Sequence, residues 1–516
     1  MTAGSLRLRG RARTLDPARP LADGLAIAGG WIVDERDAEG ARAVELGDAC
    51  LVPGLADAHV HFPTWALGLR QARLEGTRSR DEALERVAEA MPAVAPGGWL
   101  RGLGWREGDW TEAPTREALD RVTGDVPAAL MSKDYHSLWL NSAALALADA
   151  PLEAEGGVVE LDEAGEPAGV LRETSAWNFR DRYVRPTFEE MLEASRTGMR
   201  VAAGRGVTAI HDKDGWLGSF EVHARLLSEG ELLARVWQSF PWERLDELAT
   251  LGIRSGFGHP LLRFGYLKGF MDGTLGSATA HLLDGSGVEI TSGDALERVV
   301  RRAARAGWPV AVHAIGDAAN RAALDAFEAS RHEWAPRGLR QRIEHAQLLA
   351  AEDIPRFAAI GVTASVQFSH APSDRDLADR LWEGREGAYA YRSLADAGAT
   401  LANGSDAPVE ELDPLAGVAA GVLRTIDERP PWRPDQALLV DEALRATCIG
   451  PAFLEHEETR RGMLRPGMRA DLVLLDRDPA ACPPEDLAEL RVLATLVSGR
   501  VTHVADDAPA GLEPGE

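Results

Sequence analysis

Short, apolar, β-like runs recurring through the middle of the chain constrain its fold more than any other feature. They lie at Val207–His211, Arg263–Lys268, Pro309–His313, Arg342–His345, Val362–Val366 and Thr400–Gly404. Helical stretches such as Asp294–Ala306 and Ala318–Ala329 separate several of them. Strand and helix in alternation imply a parallel sheet, because parallel neighbours need a long crossover and a helix usually supplies it. A run through Asp57-Ala58-His59-Val60-His61 and a weakly marked one at Arg235–Gln238 bring the number to about eight, as a (β/α)8 barrel requires.

Both ends of the chain have a different texture. In Leu25–Val33 two apolar runs flank Gly29-Gly30, the pattern of a β-hairpin. Similar runs return at Ala470–Asp476 and Ala494–Val501, so the two ends are expected to share one small sheet, a second domain. The stretch from Pro63 to about Pro186 is too long for one strand-to-strand connection. It is read as an insertion over the barrel mouth, where loops build substrate pockets. Its tryptophans, Trp105, Trp110, Trp139 and Trp177, either line such a pocket or form the insertion's own core, and core is the default.

Composition narrows the function classes. With 45% hydrophobic and 27% charged residues among 516, the chain is globular rather than disordered. A formal net charge of −25 disfavours nucleic acid or an anionic membrane as partner. Cys50, Cys448 and Cys482 show no Cys-x-x-Cys spacing, which argues against a disulfide framework or a thiolate metal site. No signal-peptide pattern and no run of about 18 apolar residues is present. A cytoplasmic compartment is therefore expected, with a homodimer as the base-rate assembly.

The chemistry-bearing residues sit at the ends of the runs. His59 and His61 are two apart on a strand, so both imidazoles face one side and suit a divalent ion. Lys268, His313 and His345 end later runs, and Asp406 follows Gly404-Ser405. In a barrel the C-terminal strand ends converge on one mouth, which would gather all six. Taken singly, each has a blander reading. A lone histidine is usually structural, Asp406 resembles a helix cap, and Lys268 resembles a salt-bridged or substrate-binding lysine. An ammonium has no lone pair, so Lys268 joins a metal site only after change, for instance to a carbamate by reaction with carbon dioxide. Asp272 is read either as a partner orienting a ligand or as an Asp-Gly turn. His211, His281 and His370 receive no catalytic role.

The Asp57–His61 motif, His313, His345, Asp406 and the string Gly462–Val473 together resemble the amidohydrolase superfamily of metal-dependent hydrolases. The strings Lys133–Ser142, Asp272–Ser277 and Val366–Ala371 are similar to the branch that includes the N-substituted formamide deformylases (amidohydrolase family 3). The resemblance implies a (β/α)8 barrel over 54–456, with the insertion at about 63–186. It also implies a composite β-sandwich from 1–53 and 457–510. By position, His59 and His61 would hold one metal and His313 and His345 a second. A carbamylated Lys268 would bridge them, and Asp406 would bind metal and shuttle the proton. His136 would bind substrate or polarise the scissile carbonyl, its alternative being a buried histidine at a helix start, and Asp272 is the second substrate-side candidate. The metal is expected to be zinc, one or two ions per chain, although manganese, iron and cobalt suit the same donors.

The activity this implies is hydrolysis of a non-peptide carbon–nitrogen bond, an amide or formamide of a small organic molecule, by metal-activated hydroxide. A mononuclear deaminase or an ester or lactone hydrolase is the alternative within enzymes. A non-catalytic metal-binding scaffold is the alternative outside them.

Overall fold

The structure, a computed structural model, describes residues 5–94, 97–133, 135 and 137–513, with Ala93 and Asp109 as backbone only. The chain divides into two compact units, residues 63–195 and the remainder.

In the larger unit eight strands run parallel in sequence order. They are β1 (Leu55–Val60), β2 (Val207–Asp212), β3 (Arg235–Pro241), β4 (Leu262–Phe270), β5 (Val310–Ala314), β6 (Arg342–His345), β7 (Thr363–Val366) and β8 (Leu401–Asn403). All eight expected runs are strands, including the weakly marked one at Arg235. Every residue of β1, β2, β5, β6 and β7 is buried, because a parallel barrel strand is covered on both faces. The helices Gly293–Ala306 and Asp317–Ala329 precede and follow β5, as the periodicity predicts. Ala58, Tyr266, Ala311 and Ala402, from strands that are not all neighbours, pack with Trp237 and Leu454 in one buried cluster across the barrel.

The ring closes just beyond the end of β8. Asp406 N–H donates to His59 O (2.7 Å) and His61 N–H donates to Ala407 O (2.8 Å). The residues expected to do chemistry therefore also join the first strand to the last.

Both termini build one seven-stranded sheet. Its order is Arg500–Val504, Val492–Val497, Leu472–Leu475, Arg42–Pro53, Leu6–Arg13, Leu21–Ala28 and Trp31–Val33. A single apolar cluster draws on all seven strands. The expected hairpin is present, with Ala28 paired to Trp31 and with Gly29 and Gly30 at φ 58° and 84° in the turn. Asp471 ties this sheet to the barrel. It accepts from Arg235 Nε (2.7 Å) and Nη2 (2.8 Å) at the start of β3, and from Ser498 N–H (2.7 Å).

The unit of residues 63–195 holds a sheet the sequence does not announce. Six strands lie in the order Gly157–Leu161, Pro167–Glu173, Ser137–Leu140, Ala128–Ser132, Leu100–Trp105 and Ala72–Arg73. Trp105, Trp110 and Trp139 are buried and mutually packed, with ring centroids 5.8–6.3 Å apart. Their indole N–H groups donate to Leu130 O, Thr77 O and Thr115 O. These three are core, whereas Trp177 is half-buried and donates to Tyr135 O (2.8 Å). Among the described residues no helix is long and apolar enough to cross a membrane.

Candidate metal centre

Among the described residues, His59, His345 and Asp406 form a compact donor group, with ligand atoms within 4.8 Å of one another. The group takes one histidine from each of the two pairs expected by position. His59 Nε2 lies 3.1 Å from Asp406 Oδ1 and His61 Nε2 lies 3.6 Å from the same oxygen. The His345 ring is 4.9 Å from that of His59 and 4.5 Å from that of His313. Lys268, fully buried on β4, has no hydrogen-bond partner at Nζ, which sits 4.6 Å from the Phe270 ring centre. His136 lies outside the described residues.

Each imidazole is anchored through one nitrogen, which frees the other. Glu344 Oε2 takes His59 Nδ1 (2.9 Å), Asp214 Oδ1 takes His61 Nδ1 (2.8 Å) and Gln367 Oε1 takes His345 Nδ1 (2.8 Å). His313 is held through Nε2 by Gly273 O (2.9 Å), leaving Nδ1. Such partners fix the tautomer and aim of a metal-binding histidine. Glu344, Asp214 and Gln367 are absent from the sequence reading. Their signal was a polar residue at an otherwise apolar strand end, with nothing in the spacing to pair it with a particular histidine.

The backbone is bent to make this arrangement. His345 and Asp406 adopt φ of 74° and 59°, a region that costs non-glycine residues roughly 1–3 kcal/mol and persists where function requires it. Gly404 permits β8 to approach β1, since a Cβ there would stand 2.3 Å from His59 N and 2.9 Å from Asp57 Oδ1. Asp57 accepts from the N–H groups of His59 and Ser405 (3.0 Å each) and from Ser405 Oγ (2.5 Å), locking the two strand ends together. The helix-cap reading of Asp406 fails, because Asp413 caps the following helix by accepting from Leu415 and Ala416 N–H.

Electrostatics set the protonation states a cation needs. Burial lowers His59 against the pull of Glu344 and Asp406. Burial, with Lys268 nearby, takes His313 down to about 3, and burial with His313 holds His345 well below its usual value. All three shifts favour the neutral form of the ring that a cation needs. His61 moves the other way, because Asp214, Asp406 and Asp212 together outweigh its burial. Burial acts to raise Asp406, yet His59, His345 and His370 outweigh it and keep this carboxyl ionised. Burial brings Lys268 down to about 8, so a minor but accessible fraction of the amine is neutral near pH 7. Neutral imidazoles with a free nitrogen, an ionised carboxylate and a buried amine without a partner fit one or two divalent ions.

Asp272 is placed beside the site rather than in it. Its oxygens accept from the N–H groups of Ile315 (3.0 Å), Gly316 (2.8 Å) and His281 (2.9 Å), and Oδ1 lies 3.7 Å from His313 Nε2. Burial pushes its carboxyl up to about 7 against those three donors. His211 is internal, bonded to Glu455 Oε1 and Arg342 Nη1 (2.8 Å each).

Known proteins share this arrangement of sequence and fold. A family model described as the amidohydrolase family matches residues 42–503. Putative amidohydrolase YtcJ of Bacillus subtilis (strain 168) is 31% identical, over 89% of this chain and 90% of that one. The N-substituted formamide deformylase of Arthrobacter pascens is 28% identical, over 95% and 97% respectively. A crystal structure of an uncharacterized metal-dependent hydrolase from Pyrococcus horikoshii OT3 matches with a TM-score of 0.79 at 27% identity, over 93% of this chain and 99% of that one. With the family matched over residues 42–503 and the fold shared with a metal-dependent hydrolase, the chain belongs to the amidohydrolase family of metal-dependent hydrolases.

Proposed function

We propose that the chain hydrolyses a non-peptide carbon–nitrogen bond, an amide or formamide of a small organic molecule. The observation that carries this reading is the ionised Asp406 carboxylate, enclosed by His59, His61 and His345, each aimed by a partner of its own. The similarity to the Arthrobacter pascens deformylase supports the choice of bond.

His59, His61, His313, His345 and Asp406 would hold the cation, zinc being the expected ion. Lys268, as a carbamate formed with carbon dioxide, would admit a second. When bound, a divalent ion supplies a Lewis acid and brings the pKa of coordinated water from about 15.7 to near 7. Asp406 accepts the proton that water gives up and returns it to the leaving nitrogen, so that the amine departs neutral. Asp272 keeps the Gly316 and His281 segments in place beside His313.

A panel of chromogenic and plain probes tests the reading. 4-Nitroformanilide, 4-nitroacetanilide, N-formyl and N-acetyl derivatives of aliphatic amines, an aryl ester and an aminopurine are offered to zinc-reconstituted protein. Release of amine from at least one N-acyl probe is expected, lost on dialysis against a chelator and restored by metal. Turnover of the ester or the aminopurine alone would contradict it and favour the alternative hydrolase or deaminase reading. Metal uptake without turnover of any probe would favour the non-catalytic metal-binding scaffold.

A further inference from the structure

A fifth histidine faces the same site and has no metal-binding or catalytic part in the reading above. His370 opens the short helix His370–Ser373 just after β7 and is only 4% exposed. Its ring lies parallel to that of His345, 5° between planes and 6.3 Å between centres. Gln347 Nε2 stands 3.1 Å from His370 Nδ1; with the amide donating to Nδ1, the neutral ring carries its proton on Nε2. The Gln347 backbone is held by Tyr389 N–H, which donates to its main-chain carbonyl (2.6 Å).

His370 Nε2 is buried and has no hydrogen-bond partner. The nearest carboxylate oxygen, Asp406 Oδ2, is 4.0 Å away, beyond hydrogen-bond reach. A buried donor left unsatisfied is destabilising, and a ligand that supplies an acceptor removes that cost. His370 is also outside the tight group of His59, His345 and Asp406, so it stands at the rim of the ligand set. The His370 N–H and the Asp406 carboxylate thus stand side by side, 4.0 Å apart, so that an acceptor atom bound to Nε2 lies next to Asp406 Oδ2.

We propose that His370 is a further catalytic residue, whose Nε2–H donates a hydrogen bond to the carbonyl oxygen of the substrate. The inference rests on the hydrolytic reading above. The proton stays on nitrogen. The bond strengthens as negative charge gathers on that oxygen, and Gln347 keeps the donor aimed. Loss of one such donor typically costs about 10²–10³ in kcat. The substrate class this selects carries an acceptor oxygen on the reacting carbon, as amides and formamides do.

The test combines binding with turnover on zinc-reconstituted protein. Phenylphosphonate, a tetrahedral anion, is titrated by calorimetry into wild type, His370→Phe and His370→Gln, and metal content is measured on each. Phenylalanine keeps the ring without the N–H, and glutamine places an amide nitrogen as many bonds from Cβ as Nε2. The phosphonate is expected to bind His370→Phe about 10- to 100-fold more weakly than wild type, the worth of a hydrogen bond to a charged group. His370→Gln should recover part of that loss, with metal content equal in all three. Equal affinity in wild type and His370→Phe, no phosphonate binding by wild type, His370→Gln no better than His370→Phe, or loss of metal with the substitution would each overturn the proposal. Since binding is read without turnover, failure of every N-acyl probe would count against the hydrolytic reading while this comparison still decides on His370.

Discussion

Asp406→Asn is expected to lower kcat/KM on any N-acyl probe the chain cleaves by about 10²–10⁴-fold, the usual worth of a positioned proton-transfer group. The exchange is nearly isosteric, and the backbone should tolerate it. Residue 406 sits at φ 59°, where asparagine is among the residues most readily accommodated, and its N–H to His59 O is retained. What is lost is the negative charge of the carboxyl itself, which His59, His345 and His370 hold ionised against its burial. An amide there neither accepts the proton from water nor passes one to the leaving nitrogen. Steady-state kinetics with thermal unfolding check the point: wild-type turnover by the variant would remove Asp406 from the mechanism.

Glu344→Gln should have the largest effect on stability. This fully buried carboxylate holds His59 Nδ1 at 2.9 Å, Arg342 Nε at 2.6 Å and Lys213 Nζ at 3.1 Å. Burial alone would raise its pKa, but Arg342, Lys213 and His59 drive it well below the usual range. Burial and the Arg342 charge in turn bring Lys213 down to about 7. Replacing such a network by apolar residues is often neutral, whereas deleting one member strands the others. Here two buried cationic groups would be left facing an amide, a loss of about 3–5 kcal/mol. The His59 ring would also lose its charged anchor, which typically weakens metal affinity about 10- to 100-fold. Denaturant unfolding and metal titration measure the two effects. A stability change under about 1 kcal/mol with unchanged affinity would show that Glu344 does not organise the site.

The contrast between these residues explains what the sequence disclosed. Asp406, His59, His61, His313 and His345 were legible because barrel strands end at one mouth, so a ligand-type residue at a strand end carries positional information. Glu344 and Asp214 were not, because orientation is settled between strands far apart in sequence. His59 meets Glu344 across 285 positions and His61 meets Asp214 across 153. All eight barrel strands and the Gly29-Gly30 hairpin follow from local apolar runs and turn chemistry. The six-stranded sheet of residues 63–195 does not. Ser137–Leu140 lies between Ala128–Ser132 and Pro167–Glu173, an order fixed by non-local pairing that no local pattern encodes. His370 had no legible role because its meaning lies in what it lacks, an acceptor for a buried N–H.

The retained charges also bear on function. A barrel of this size could fill its interior with apolar side chains, each worth about 1.5–3 kcal/mol on burial. Instead Lys213, Lys268, His211, Arg342, Glu344 and Glu455 are buried within the unit that carries the site. Their desolvation is costly, and their contacts converge on His59 through Glu344 or stand beside it. That distribution is what aiming a ligand set requires, and stability alone would not select it.

Anomalous diffraction at the zinc edge from a crystal of the reconstituted protein tests the central claim most directly. The account predicts a peak at bonding distance, about 2.0–2.1 Å, from imidazole nitrogens of His59 and its neighbours and close to an Asp406 oxygen. A second peak beside Lys268 is expected if that amine is carbamylated. Zinc bound only elsewhere on the protein, with the space between His59, His345 and Asp406 free of anomalous signal, would contradict it.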